Sequence, residues 1–403
     1  MNKLLKLILC ILLFLSPCFL LPAYDFGLVI DQTAGYTRIG SDGEFDYAGS
    51  IIPRVSALIG DNADIYASAS FEVDYLDEWT AVPELLRTDF FMGFGNFGFR
   101  IGRMYYSDPL EYIAEGLFDG FNVSYDTEFG AFNIGAWYTG LLYKNRAKIH
   151  MTLGEYADTL VKLDYDHFSD TYFAPRRLLS AISWEHLGMV GSLRGKAAFL
   201  GQFDLTGSDE LVHSQYLVGK VALPFSSFTF DVGACLELIE DDGDFGLALA
   251  AELGVSWIPP TPFGSRLSLV GRFSSGGVGS DTFKAFLPVT TEYQSEVLKP
   301  KFSGISMITL DYIATLHDSF AAGLYSTYFI RSDLGTYIGY PWSINANDNY
   351  FLGNEFFLKL LWNPVSDLQF NLGGGVFLPS MGNVAPSADA LWRVELNVII
   401  SLF

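Results

Sequence analysis

The sequence is short of cysteine, of basic residues and of long apolar runs, and each shortage closes a class of answer. Three cysteines occur in 403 residues, and Cys10 and Cys18 fall in an apolar leader. Cys235 alone can close no intramolecular disulfide and build no all-cysteine metal site. Lys and Arg number 24 against 46 Asp and Glu, a formal charge of −22. Such a surface repels phosphate backbones, which excludes nucleic acid as a partner. Beyond the leader no apolar run reaches the roughly 18 residues that a transmembrane helix needs.

Catalytic and cofactor signatures are equally thin. His150, His167, His186, His213 and His317 include no pair at ligand spacing on one element. Gly93-Phe94-Gly95-Asn96-Phe97-Gly98 has the glycine spacing of a dinucleotide-binding turn, but it straddles a hairpin between two strands. Gly-x-Ser-x-Gly is absent, and Ser183 and His186, three apart on a strand, face opposite ways. The expectation is no enzyme, no cofactor and no metal.

What the chain has in quantity is apolar and small: half of its residues are hydrophobic, with 35 Phe, 22 Tyr and 40 Gly, and only 17% are charged. A hydrophobic chain without hydrophobic segments must spread its apolar residues along alternating strands, and in a membrane such strands close into a barrel. Phe245, Leu247, Leu249, Ala251, Leu253, Val255 and Trp257 alternate with Gly246, Ala248, Ala250, Glu252, Gly254 and Ser256. Phe228–Leu238 and Ile65–Tyr75 repeat the pattern. A soluble sandwich also alternates, but its polar face meets water and carries more charge than these small-residue faces do.

Read along the chain, the pattern predicts an all-β, up-and-down antiparallel barrel of about 18 strands, with 16 as the alternative closure. The predicted strands lie at 24–36, 46–60, 63–77, 83–94, 97–105, 118–127, 130–142, 178–187, 192–205, 213–224, 227–239, 243–258, 265–276, 303–316, 319–332, 351–363, 367–378 and 388–403. Tight turns such as Gly95-Asn96 follow even strands, and the long connections 106–117, 143–177, 277–302 and 333–350 follow odd ones. Residues 1–23 read as a cleaved export signal, with Lys3 and Lys6, apolar Leu7–Leu15 and a cleavage site at Leu21-Pro22-Ala23. Residues 24–403 then form a single barrel domain.

The last segment, Leu391–Phe403, alternates with Trp392, Val394 and Leu396 on its oily face and ends in Phe403. It resembles the assembly signal of bacterial outer-membrane proteins, although Phe403 is out of phase with that face. In layout the whole chain resembles outer-membrane porins, general or of the larger, 18-stranded, substrate type. That resemblance implies an outer-membrane location, contact with lipid, recognition by the outer-membrane assembly machinery, and passive diffusion of small hydrophilic solutes. It leaves a homo-oligomer open. A barrel plugged by its own loops, serving as a hydrophobic-ligand transporter or an adhesin, is the rival; Phe91, Phe329, Phe357 and Leu361, on the inward parity, would line its passage.

Strand parity predicts which charges face the bore. Positive groups are Arg54, Arg87, Arg100, Arg194, Lys196, Lys220, Arg266, Arg272, Lys359 and Arg393; negative ones include Asp231, Glu237, Glu252, Asp311, Glu355 and Glu395. The wall is near neutral, so the acidic excess falls on loops, in runs such as Glu240–Asp244. An acidic mouth predicts a mild cation preference that weakens with salt. The connection 106–117 follows the fifth strand, as the constricting loop of porins does. Its Asp108, Glu111 and Glu115 are predicted to oppose Arg87 and Arg100 across a constriction. Arg103 falls on the outward parity, which fits a bulge or a place near the strand's outer end.

Overall fold

The structure is a computed structural model that describes residues 24–76, 78–207, 211–241, 243–277, 284–334 and 349–402. The leader and Phe403 lie outside the described residues. The strands are β1 (Tyr24–Ile39), β2 (Asp42–Ile59), β3 (Ala63–Leu76), β4 (Glu78–Phe94), β5 (Phe97–Ser107), β6 (Glu115–Thr127), β7 (Gly130–Tyr138), β8 (Arg177–Val190) and β9 (Leu193–Asp204). The second half of the ring comprises β10 (Val212–Phe225), β11 (Phe228–Asp241), β12 (Asp244–Trp257), β13 (Gly264–Ser274), β14 (Ile305–His317), β15 (Phe320–Arg331), β16 (Phe351–Val365), β17 (Leu368–Leu378) and β18 (Leu391–Leu402). Each strand pairs antiparallel with its chain neighbours, and β1 pairs β18 from Leu28–Leu402 to Ile39–Leu391. The 18-stranded sheet is therefore closed and has no free edge strand.

Alternation sorts the two faces. On β12, Leu253 is 65% exposed on the outside while Ala248 and Ala250 on the inside are buried. On β18, Trp392, Val394, Leu396 and Leu402 are all exposed. A continuous belt of exposed apolar side chains around a closed barrel is tenable only in lipid. Aromatic groups gather near the strand ends: Phe45, Tyr47, Tyr75 and Trp79 touch one another on β2–β4, and Phe97 stacks on Tyr125 beside the opposite turns. The β1–β18 register runs unbroken to Leu402, so no bulge brings the end of β18 back into phase.

Several strand ends differ from the alternation reading, for physical reasons. β4 starts at Glu78 rather than at Pro83, because Pro83 sits where β4 has no β5 partner and needs no N–H. β7 stops at Tyr138, because Thr139 turns the chain inward and its hydroxyl accepts the Arg177 N–H at 2.9 Å. Gly95 takes a left-handed φ of 57° in the two-residue turn between β4 and β5, where a side chain would be strained.

Among the described residues, three connections fold into the barrel and build most of its core. Residues 108–114 follow β5. The 139–176 segment follows β7 and carries α1 (Lys144–Ala147), α2 (Leu153–Leu160) and α3 (Phe168–Tyr172). The described residues 284–304 precede β14. The segments interlock through main-chain bonds: Val289 N–H donates to Ile113 O at 2.7 Å, and Thr291 N–H to Lys148 O at 2.8 Å. Ile113, Ile149, Phe286, Val289 and Phe302 are buried in one cluster with inward wall residues such as Leu179 and Leu200.

Candidate functional site

Inward wall carboxylates fasten the inserted segments. Glu355 on β16 accepts the N–H groups of Glu296, Val297 and Leu298 at 3.1, 3.2 and 2.8 Å. Glu237 on β11 accepts Leu287 N–H at 2.9 Å. A buried carboxylate is costly unless donors surround it, so the three N–H groups at Glu355 both pin the segment and offset that cost, while at Glu237 a single N–H pins it. Beside Glu355, β17 carries Gly373, Gly374 and Gly375, and Phe357 lies over the inward pair.

Between the 284–304 segment and the wall of β13–β16 lies a chamber of about 550 Å³. Arg266, Arg272 and Lys359 line it from the wall, and Glu292, Glu296 and Lys299 from the segment. Arg272 bonds Glu252 at 2.6 Å and Gln294 at 3.1 Å, and Lys220 bonds Glu252 at 3.1 Å. Arg266 lies 3.9 Å from Asp311, and Lys148 lies 3.6 Å from Glu292. Among the described residues Lys359 and Lys299 form no ion pair. The chamber is thus bordered by both signs on both sides: Arg266, Arg272 and Lys359 with Asp311 and Glu355 on the wall, and Glu292 and Glu296 with Lys299 on the segment. Deeper in the same segment, burial draws the Lys301 amine down to about 8. It donates to His150 O, and His150 is itself lowered by burial to about 4.

The remaining inward charges run round the wall. Lys196 lies 3.5 Å from Glu185, and Asp231 stands near Lys220. Arg393 holds Asp46 at 3.0 Å and Glu395 at 2.6 Å. Arg54 is in register with Ser68 of β3, and Arg194 with Ala222 of β10.

The five residues predicted to form a constriction do not meet. Arg87 and Arg100 both bind Asp89, on the turn-proximal part of β4 and β5. Asp108 is buried and accepts four N–H groups of its own loop, from Leu110, Glu111, Ile113 and Ala114 at 2.7–3.2 Å. Burial still pushes its carboxyl above the ordinary range, the four donors pulling the other way. Glu111 is exposed at φ 64°, and Glu115 receives the hydroxyl of the exposed Tyr105. The cause is local: the seven-residue loop between β5 and β6 does reach across the bore, where Leu110 meets β11 at Gly233 and Tyr112 lies 5.4 Å from the Arg272 guanidinium of β13, but it carries apolar and aromatic groups there while Asp108 is spent on the loop's own N–H groups. The longer 284–304 segment meets it inside the barrel, Val289 N–H donating to Ile113 O, and supplies the charged lining. Its polar run Thr290–Glu296 inside a long connection is the signal that could have marked it. The aromatics considered for a greasy passage are packed: Phe329 is wholly buried against Phe377, and Phe91 lies under Arg100.

No family model matches the chain, and no curated protein matches it in sequence. Solved structures match its fold over nearly the full length of both chains. Pseudomonas aeruginosa OccK8 (OprE) superposes with a TM-score of 0.61 at 10% identity, covering 95% of this chain and 98% of that one. Pseudomonas aeruginosa OccK2 (OpdF), solved in complex with glucuronate, gives 0.60 at 10% identity, covering 95% and 97%. Pseudomonas aeruginosa OccK5 (OpdH) gives 0.60 at 8% identity, covering 94% and 99%. At these identities the likeness is one of fold.

Proposed function

We propose that the chain forms an outer-membrane channel for passive diffusion of small hydrophilic solutes, and that its chamber favours dipolar solutes bearing a carboxylate. The observation that carries this reading is Lys359, a wall ammonium that lines the chamber without an ion partner among the described residues, in a passage whose inserted segment contributes Glu292 and Glu296. Opposed charges across a narrow passage make a transverse field that orients a dipole and offers its carboxylate a cation. Lys359, without an ion partner among the described residues, is the group best placed to receive it. The similar fold that was solved with glucuronate supports the class.

At the mouth, Glu240, Asp241 and Asp244 cluster where β11 meets β12. They attract cations within roughly 8 Å at physiological salt, so the open current has a mild cation preference that fades as salt rises. The barrel performs no catalysis on this reading. It reaches the membrane as an exported chain, and β18 is the strand offered to the assembly machinery.

Planar-bilayer recording tests the proposal. Purified protein gives discrete conductance steps, and glucuronate interrupts the current more often than an uncharged sugar of the same size. An absence of conductance removes the channel reading; equal interruption by both sugars removes the role of the chamber.

A further inference from the structure

The ladder between β4 and β5 stops early. It runs only from Phe94–Phe97 to Thr88–Arg103, the shortest of the ladders among the described residues. β4 continues through residues 78–87 and β5 through 104–107 without pairing each other. Six residue steps of about 3.4 Å, tilted about 40°, lift the last pair about 16 Å above the Gly95-Asn96 turn. The apolar band of such a barrel is about 25 Å tall, so the breach opens inside its outer part.

Side chains close the breach, not backbone. Arg103 donates to Leu85 O, Tyr172 to Pro83 O at 2.9 Å, and Tyr165 to Ala81 O. Pro83 has no N–H with which to extend a ladder. Where β12 overruns β13, by contrast, the main chain takes over: Ser275 and Lys284 N–H donate to Leu249 and Leu247 O. Behind the β4 edge, Val82, Tyr143 and Tyr172 are buried together, with Leu163 and Phe168 packed against them. Arg146 reaches Glu72 and Glu84 on the inward faces of β3 and β4, fastening the inner side. Outside, Leu85, Tyr105 and Leu141 are exposed to the membrane. The ion pair at the foot of the breach, Arg103 with Asp119, is complete: the guanidinium also donates to Leu141 O at 3.0 Å.

We propose that this seam is a lateral port between the barrel interior and the outer leaflet, shut by the 139–176 segment, and that it passes small apolar molecules. Its lining of Val82, Tyr143, Leu163, Phe168 and Tyr172 selects apolar and aromatic solutes, since the saturated Arg103–Asp119 pair demands no charge of them. Opening breaks side-chain contacts and leaves every ladder bond in place. The port is independent of the chamber at β13–β16 and of the solutes assigned to it.

The test joins the segment to the wall. The Leu85 and Leu141 carbonyls bind one guanidinium and are therefore close, and both side chains are exposed. In a Leu85→Cys, Leu141→Cys protein the pair is bridged by a short bismaleimide, with each single-cysteine protein as control; Cys235 is buried. Uptake of the apolar dye N-phenylnaphthylamine by cells carrying the protein is compared with the axial conductance of the purified barrel. The unbridged protein raises dye uptake severalfold over cells lacking it, bridging returns uptake to background, and conductance is unchanged. A Tyr165→Phe, Tyr172→Phe protein takes up dye faster than the parent. Dye uptake that is independent of the protein, or equal with and without the bridge, overturns the proposal, as does a bridge that abolishes conductance and uptake together.

Discussion

Phe357 occupies the space left by Gly375: a Cβ built on that glycine would lie 2.5 Å from the main-chain Phe356 O, 2.6 Å from Phe357 Cδ2 and 3.0 Å from Val297 Cγ2. One missing side chain on β17 thus seats a wall aromatic and the inserted segment together. Gly375→Val is expected to push both inward and to displace the β16 main chain at Phe356, with an overpacking cost of about 1–3 kcal/mol or more. Single-channel recording should show a noisier current of altered size, while the folded barrel still migrates as such on unheated gels.

Glu355 holds three consecutive N–H groups of the same segment. Glu355→Gln removes the charge and one acceptor oxygen, and bonds to a charged group are worth about 1.5–3 kcal/mol each. Trypsin should then cut after Lys301 much faster than in the parent; Lys299 precedes Pro300 and is not a tryptic site. An unchanged cleavage rate would show that packing alone keeps the segment docked.

Lys359→Glu reverses the unpaired wall charge of the chamber. The reversal potential in a salt gradient should move toward cations, and interruptions by glucuronate should become rarer. The same substitution should leave the thermal unfolding temperature almost unaltered, because the ammonium makes no ion pair among the described residues.

Arg103→Met should be the most damaging of these changes. It strips Asp119 of its partner beside the lipid and frees Leu85 O, and breaking a buried pair from one side costs about 3–5 kcal/mol. The folded-to-unfolded gel shift should occur at a clearly lower temperature. Restoring neutrality with Asp119→Asn in the same chain should recover part of the loss.

Docking of the 284–304 segment should depend on alkaline pH through Lys301. Docked, the amine has a pKa of about 8, below its ordinary 10.5. Between these values the undocked state binds more protons, so docking strengthens as pH rises through that window and is flat below it. Limited proteolysis by an alkali-tolerant protease, with wild type compared to Lys301→Met at each pH, should show the slope only in wild type.

The barrel is legible in the sequence because lipid and bore impose opposite solvents on successive side chains, and a period of two survives even where one face holds only Gly, Ala and Ser. Phe245–Trp257 shows both faces in thirteen residues. The chamber is far less legible. Asp108 and Glu355 are both acidic and polar on paper, yet both spend their oxygens on N–H groups of inserted loops, and no periodicity reports which backbone a carboxylate will meet. Arg103 illustrates the same limit. Its parity marks it as facing outward, but its tolerance there comes from Asp119 on β6 and from the Leu85 and Leu141 carbonyls, the last two set by a ladder that stops short and a segment that begins some forty residues downstream.

The pairing of β1 with β18 has a consequence for how the molecule is made. β1 finds its second neighbour only when β18 is in place, so the ring cannot close before its last strand has been made. A chain cut before Leu391 is left with two raw margins and nothing to join them.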